Sequence, residues 1–214
     1  MNIRSNFFHE LQFRRQVLWR VDKKTREALS HIRPGVICVD VGANVGFVSR
    51  AFRSRGAIVH AIEPNPWAFE SLNSYAKDDY ELNAHAAAAS VNTHPVSLFL
   101  HESHGSNPKL FSSGSSLIST KPNVNQESVE VAALDLAAFL VELGEVAFLK
   151  IDVEGFEVEL IPNLIKREAL ERVNFIAVET HDKEKWTDLE LQTQEMKSLV
   201  QNSGLETKFS WNWP

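Results

Sequence analysis

Val36 to Val41 is apolar at every position except Asp40, the pattern of a strand buried on both faces. Phe47 to Arg55 reads as a helix stopped by Gly56. Ile58 to Ile62 is a second short apolar strand. Asn65 and Pro66 then supply the N-cap and first-turn proline of a helix running to about Lys77. A third strand is expected near Tyr80 to Ala84. Strand, helix, strand, helix, strand in that order predicts right-handed crossovers and a parallel sheet.

Farther along, Val96 to Leu100 and Ser128 to Ala132 are extended runs, joined by a serine-, glycine-, asparagine- and proline-rich connection over 101–126. A connection of that length is usually a functional loop or a disordered one. Asp135 caps a helix that ends at Gly144. Val146 to Ile151 and Asn174 to Glu179 are two more buried strands, flanking helical Phe156 to Leu170. Thr187 to Glu190 is a capping box for a last helix closed by Gly204, and Leu205 to Trp211 is expected as a final strand. Upstream, Phe7, Phe8, Leu11, Val17, Leu18, Val21 and Leu29 stand among charges, which suits one or two amphipathic helices. The chain therefore divides into an N-terminal helical cap, residues 1–33, and one α/β domain, residues 34–214.

Charge changes the picture only locally. The net charge of −6 argues against a dedicated nucleic-acid binder. Residues 1–33 hold eight basic against three acidic side chains, a net +5, so the remainder is −11. A solvated cap over the sheet is the simpler reading of that basic segment; an anionic substrate or a membrane surface is the sharper one. Cys38 is the one cysteine, which excludes an internal disulfide and a cysteine-based zinc site. No run approaches the roughly 20 apolar residues of a bilayer span, and the first thirty residues lack a signal-type apolar core. The expected location is the cytoplasm.

The first strand runs into Asp40, Gly42, Asn44 and Gly46. Glycine permits a sharp turn and close ligand approach, and asparagine tolerates a left-handed backbone. Glu63 closes the second strand 21 residues past Gly42, where an acid accepts hydrogen bonds from ribose hydroxyls. The loop reads G-x-N-x-G, so it lacks the third glycine of a dinucleotide site, and no Walker pattern is present. With no pyrophosphate to cradle, Asp40 suits a cationic part of the ligand. S-adenosylmethionine, with its ribose, adenine, α-amino group and sulfonium, fits. FLKIDVEGFE, residues 148–157, adds Asp152, Glu154 and Glu157 after another strand.

The segments VDVGANVGFVS, IEPNPWAFESL, SSGSSLI, VAALDLAAFL, FLKIDVEGFEVELI and IAVETH, in that order across about residues 36–181, resemble the FkbM-type methyltransferases within the class I S-adenosylmethionine-dependent group. The resemblance implies an α/β, Rossmann-like, three-layer αβα fold: a seven-stranded, mostly parallel sheet with helices on both faces. It implies methyl transfer to a hydroxyl of a sugar or natural-product-like small molecule. The cofactor-binding set it marks is Asp40, Gly42, Ala43, Asn44, Gly46, Glu63, Asn65, Asn83 and Ala86, with Asn83 to Ala86 bordering the adenine. Asp152 falls at the tip of the fourth strand, Glu179 and His181 at the tip of the fifth. Two departures stand out. Asn163 occupies a position where many members have a glycine, with a changed helix end as the consequence. The terminal antiparallel hairpin is short by a strand, so an N-terminal element is a candidate to fill the edge.

A hydroxyl acceptor needs a proton acceptor. His181 is the first choice because imidazole titrates near neutrality; Asp152 is the alternative, and Glu154 faces the substrate. Glu157 and Glu159 fall in the first helical turns, where acids favour the dipole. A divalent metal on Asp152, Glu179 and His181 is the less favoured alternative. Lys150, inside a buried strand, requires a carboxylate partner, with Asp40 or Glu179 the candidates. Ser115 and Ser116 are candidate substrate ligands, Glu179 another. Trp186, Trp211 and Trp213 either stack on sugar rings or pack in the core. An NAD-dependent oxidoreductase and a non-catalytic S-adenosylmethionine-binding protein are the rival functions. An unfilled sheet edge favours a homo-oligomer.

Overall fold

The computed structural model describes residues 17–106, 112–182 and 187–214. Its centre is a sheet of six strands: β1 (Ile37–Val41), β2 (Ile58–Ile62), β3 (Leu82–His85), β8 (Phe148–Ile151), β9 (Ile176–Val178) and β10 (Phe209–Ser210). Their spatial order is β10-β9-β8-β1-β2-β3, and every neighbouring pair is parallel. The order reverses beside β1, so the crevice at the carboxyl ends of β1 and β8 is the topological switch point where ligands of such sheets bind.

Successive strand residues point to opposite faces, and the burial follows that rule. Val39, Val41, Leu149 and Ile151 join one apolar cluster with α4 (Leu136–Leu143), α5 (Glu157–Lys166) and α6 (Thr187–Asn202). Cys38, Phe148 and Ala177 join the other, with α1 (Lys23–Ser30), α2 (Phe47–Ser54) and α3 (Pro66–Ala76). The result is the expected Rossmann-like three-layer αβα arrangement. Asn65 caps α3 as predicted, its Oδ1 accepting from the N–H groups of Trp67 and Ala68. Asp135 likewise caps α4, which stops at Gly144.

Several expectations change. The seven-stranded sheet is six-stranded among the described residues, and its last strand is parallel rather than part of an antiparallel hairpin. Leu205 to Trp211 contracts to Phe209–Ser210 because Glu206–Lys208 coils into a single 3₁₀ turn. Asn163 lies inside α5, which passes through both Pro162 and Asn163 before ending at Lys166. The two extended runs become an antiparallel ribbon, β5 (Val96–His101) with β6 (Val124–Val131). Two unforeseen three-residue strands, β4 (Ala88–Ser90) and β7 (Ala133–Asp135), pair in parallel at its base.

Residues 1–16, with the first part of the expected helical cap, lie outside the described residues. The described part, α1, docks on the edge strand. Asp22 caps it by accepting from the Thr25 N–H at 2.7 Å. Lys24 Nζ donates to the Phe209 carbonyl at 2.7 Å, and the hydroxyls of Thr25 and Ser210 meet at 2.8 Å. None of the described helices is long and apolar enough to cross a membrane.

Gly42 and Gly35 both have positive φ, 73° and 83°. At Gly42 an added Cβ would overlap the Asp152 carbonyl oxygen, whereas at Gly35 it would meet nothing within 4 Å. Gly42→Ala is therefore expected to cost about 3 kcal/mol or more, from strain plus displaced backbone, and Gly35→Ala about 1 kcal/mol from strain alone. Urea unfolding of the two variants checks the contrast.

Candidate active site

β1 and β8 are neighbours in a register that sets Asp40 opposite Lys150, both on the α2 side of the sheet. Lys150 is buried, and its ammonium donates to the Gly42 carbonyl at 2.7 Å. It also lies 3.3 Å from Asp40 Oδ1 and 3.2 Å from Asp152 Oδ2. Burial alone would lower the lysine's pKa, but the two carboxylates outweigh it and hold the pKa above its ordinary value. Asp40 is fully buried, and its other oxygen accepts from the Ser49 hydroxyl of α2 at 2.5 Å. The predicted lysine partner is thus present, and Asp152 is a second. Asp40 lines none of the cavities described below; it stands behind the glycine loop and anchors the lysine that holds it.

The loop itself hangs on β2. The N–H groups of Gly42 and Ala43 both donate to the Ile62 carbonyl at 3.0 Å. Asn44 takes the left-handed backbone expected of it, φ 49°. Its N–H donates to Glu63 Oε2 at 2.7 Å, and the Asn65 N–H donates to Oε1 at 2.8 Å. Burial pushes the Glu63 carboxyl up to about 7 despite these two donors. Glu63 borders a cavity of about 110 Å³ together with Gly42, Asn44, Asn65, Ser115 and Asp152. Ala88, Ala89 and Leu98 form its apolar end. Asn83 and Ala86, expected at the adenine, are not among its walls: Asn83 donates to the Val59 carbonyl at 3.5 Å and Ala86 faces outward.

The serine segment roofs this cavity. Asn65 Nδ2 reaches the Ser112 carbonyl at 3.4 Å and Ser115 Oγ at 3.3 Å, while Ser112 Oγ donates to Asn44 Oδ1 at 3.3 Å. Ser116 bridges to Phe99 of β5 and gives its hydroxyl to the Glu154 carbonyl at 2.7 Å. Ser115 therefore stands on the glycine-loop side rather than at a separate acceptor, and Ser116 Oγ is spent within the protein. Glu154, at φ 56°, accepts from the Gly114 N–H at 3.0 Å and pairs with the buried ammonium of Lys121. Lys121 also donates to the Gly114 carbonyl at 3.0 Å. That lysine latches the roof to the tip of β8.

Behind the tip lies Glu157, the first residue of α5, fully buried. Its Oε2 accepts from the Gly155 N–H at 2.9 Å; its Oε1 accepts from the His181 N–H at 3.2 Å and lies 3.1 Å from His181 Nδ1. The other ring nitrogen, Nε2, then faces Glu154 Oε2 at 3.3 Å and Asp152 Oδ1 at 3.7 Å. Burial pulls the ring's pKa down, but the bond to Glu157 and the carboxylates of Glu157, Glu154 and Asp152 win and raise it to about 9. With these carboxylates ionised around it the ring favours its protonated form at neutral pH, which weakens His181 as the first choice for proton acceptor. Glu157, read from sequence as a dipole-favouring acid, is instead the residue that orients it. The available signal was its position: Phe156, the residue before it, caps the helix with no side-chain oxygen.

A second cavity, about 450 Å³, opens over β9 and β10 between Arg20, Glu179, Thr180, His181, Trp211 and Trp213. Glu179 makes no hydrogen bond or ion pair with the described residues. Its carboxyl is pushed up to about 7 by burial and by Asp152, against the pull of His181 and Lys150. Trp211 stacks on Phe209 with ring centroids 5.0 Å apart, while Trp213 is buried against Phe148. Trp186 lies outside the described residues. A smaller cavity of about 200 Å³ lies on the α2 side, between Arg20, Gly42, Ala43, Asn44, Lys150 and Asp152. Asp152 thus borders two of these three cavities, and Gly46 stands apart as the N-cap of α2, packed on Leu72.

A parallel sheet with its acids gathered at the switch point defines a Rossmann-like α/β protein with a ligand crevice. Residues 40–204 match the family model described as the Methyltransferase FkbM domain, and the chain belongs to that family. No curated protein matches the sequence. Among solved structures it is similar to a methyltransferase FkbM from Methylobacillus flagellatus KT, with 14% identity and a TM-score of 0.46 over 91% of this chain and 52% of that one. It is also similar to a precorrin-6y C5,15-methyltransferase from Geobacter metallireducens GS-15, with 14% identity and a TM-score of 0.41 over 84% and 69% of the two chains. The chain spans about half the length of the first.

Removing the ammonium of Lys150 would leave Asp40 buried with one hydroxyl donor. Lys150→Met is expected to destabilise the fold by about 3–5 kcal/mol, and adding Asp40→Asn to recover part of that loss. Denaturant midpoints of the single and double variants provide the measurement.

Proposed function

We propose that the protein is an S-adenosylmethionine-dependent O-methyltransferase acting on a hydroxyl of a sugar or natural-product-like small molecule. Family membership supports methyl transfer, and one observation carries the choice of donor. Glu63 stands at the tip of β2 with each oxygen fixed by a backbone N–H, beside a cavity that also meets Asp152. An oriented acid of this kind suits ribose hydroxyls, and the further carboxylates along the crevice suit a positive charge. A dinucleotide would need a glycine-rich pyrophosphate cradle that this loop lacks.

The residues fit the donor in chemistry, and the roof governs its entry. A cavity of about 110 Å³ is smaller than the roughly 300–1,000 Å³ of small-molecule sites. Its cover is the 112–115 segment, held by the hydrogen bonds of Asn65 and Asn44 and by the Lys121–Glu154 pair. Donor binding therefore requires these contacts to loosen. When bound, S-adenosylmethionine supplies an electrophilic methyl group on its sulfonium. Gly42, Ala43 and Asn44 would line the methionine portion, Glu63 the ribose, and Ala88, Ala89 and Leu98 the adenine.

The larger cavity suits the acceptor, with Trp211 offering an apolar ring face to a sugar or polycycle. Glu179 borders that space with a free carboxylate and is the group placed to take the hydroxyl proton. Asp152, on the wall toward the donor, positions the reacting ends. Holding both in line supplies most of the rate, since orientation is worth about 7–11 kcal/mol.

Calorimetry with S-adenosylhomocysteine and NAD separates the readings. Binding of the first alone is expected, and binding of NAD alone would refute the donor assignment. Because the Glu63 carboxyl sits near 7, the ionised acceptor form gains population as pH rises. S-adenosylhomocysteine affinity should strengthen several-fold from pH 6 to 8, at most about tenfold, and Glu63→Gln should flatten that dependence. Methyl transfer to a panel of hydroxylated glycans and metabolites should fall at least about 100-fold in Glu179→Gln with donor affinity kept, and in Asp152→Ala with donor affinity weakened as well. Donor binding without turnover on any acceptor would instead favour a non-catalytic protein.

A further inference from the structure

We propose that Asp152, Glu154 and His181 form a binding site for a divalent first-row cation, in the wall between the donor and acceptor cavities. One oxygen of each carboxylate and one ring nitrogen lie within 4.8 Å of one another, close enough to share an ion. Mixed carboxylate and imidazole donors suit Mn²⁺, Fe²⁺ or Zn²⁺ better than Ca²⁺. The metal alternative read from sequence used Glu179; the structure sets Glu154 in its place, because the turn at Glu154 and Gly155 swings that carboxylate toward the ring.

Two observations lift this cluster above a chance gathering of acids. The first is the ring itself. His181 is only 6% exposed, and its Nε2 points between two carboxylate oxygens, 3.3 Å from Glu154 Oε2 and 3.7 Å from Asp152 Oδ1, where a cation would take the place of the ring proton. The second is Glu157, fully buried, whose one oxygen holds Nδ1 while the other is tied to the Gly155 N–H. A carboxylate behind a histidine in this way fixes the ring and strengthens the far nitrogen as a ligand, the usual support of a metal-bound histidine. The pair is built before any ion arrives.

The cluster's neighbours define its behaviour. Lys150 balances Asp152 from below, through Oδ2, while Oδ1 is the oxygen turned toward His181. Lys121 pairs with Glu154 from the roof and so competes with an ion for that carboxylate. Asp152 and Glu154 border the cavity of about 110 Å³ beside Glu63, and His181 the one of about 450 Å³. A cation in this wall would polarise an acceptor hydroxyl entering from the larger side. That role rests on the methyl-transfer reading; the binding of the ion does not.

The test is calorimetric titration of the chelator-treated 214-residue chain with Mn²⁺ and with Zn²⁺, with Mn²⁺ spin resonance as a second readout. One equivalent is expected to bind. Glu157→Gln should weaken binding 10- to 100-fold, and Asp152→Asn and Glu154→Gln should abolish it. Lys121→Met should strengthen it by removing a competing charge. Thermal unfolding confirms that each variant is folded, and the near-isosteric Glu154→Gln keeps the test sharp should a Glu157 variant fail to fold. Absence of binding at millimolar Mn²⁺ and Zn²⁺, or binding indifferent to Asp152→Asn and Glu154→Gln, overturns the site. S-adenosylhomocysteine titrated on the same samples keeps the two proposals apart. Donor binding without cation binding removes the ion alone, and cation binding without donor binding removes the methyl-transfer reading alone.

Discussion

One ammonium group, that of Lys150, holds the crevice together. It is buried in the central strand β8 and touches the Gly42 carbonyl, Asp40 and Asp152 at once. A lone buried charge is costly, so the arrangement persists only because each contact is a carbonyl or carboxylate oxygen. Through it the glycine loop, the end of β1 and the end of β8 become one rigid piece. The close packing of Gly42 on the Asp152 backbone is the steric counterpart of the same junction. Asp152 is thereby held at the boundary of two cavities rather than swinging free in either.

Around that piece the remaining acids serve different tasks despite sharing a neighbourhood. Glu157 is dry and structural, orienting His181. Glu154 faces the roof and meets Lys121. Glu63 is clasped by two backbone N–H groups, and Glu179 stands open to the larger cavity. Burial, more than residue type, separates them: the same carboxylate chemistry gives an orienting group, a latch, a clasped acid at the end of β2 and an open one at the end of β9.

The central strands, the helix caps and the glycine loop were legible in the sequence because their causes are local. Asn65-Pro66 and Asp135 start helices by bonds within three residues, and Asn44 turns the loop by its own backbone preference. The need of Lys150 for an acid followed from burial alone. What escaped depends on distant partners. β4 and β7 are three residues each and exist by pairing with one another across the ribbon. Glu157 meets His181 across 24 residues, and Lys121 meets Glu154 across 33. The β8–β9 pairing brings the first two together, and the path of the roof brings the second; neither shows in a periodic pattern. Asn83 and Ala86 missed the cavity because β3 ends one residue farther along than expected, at His85, leaving Ala88 and Ala89 to line it.

Asn65 divides its side chain between two structures. The carbonyl half initiates α3, and the amide half holds the serine segment at Ser112 and Ser115. These halves are chemically independent, one accepting and one donating. Releasing the amide half from the serines therefore leaves the start of the helix beneath it intact, and the Lys121–Glu154 pair remains as the charged restraint on the same segment.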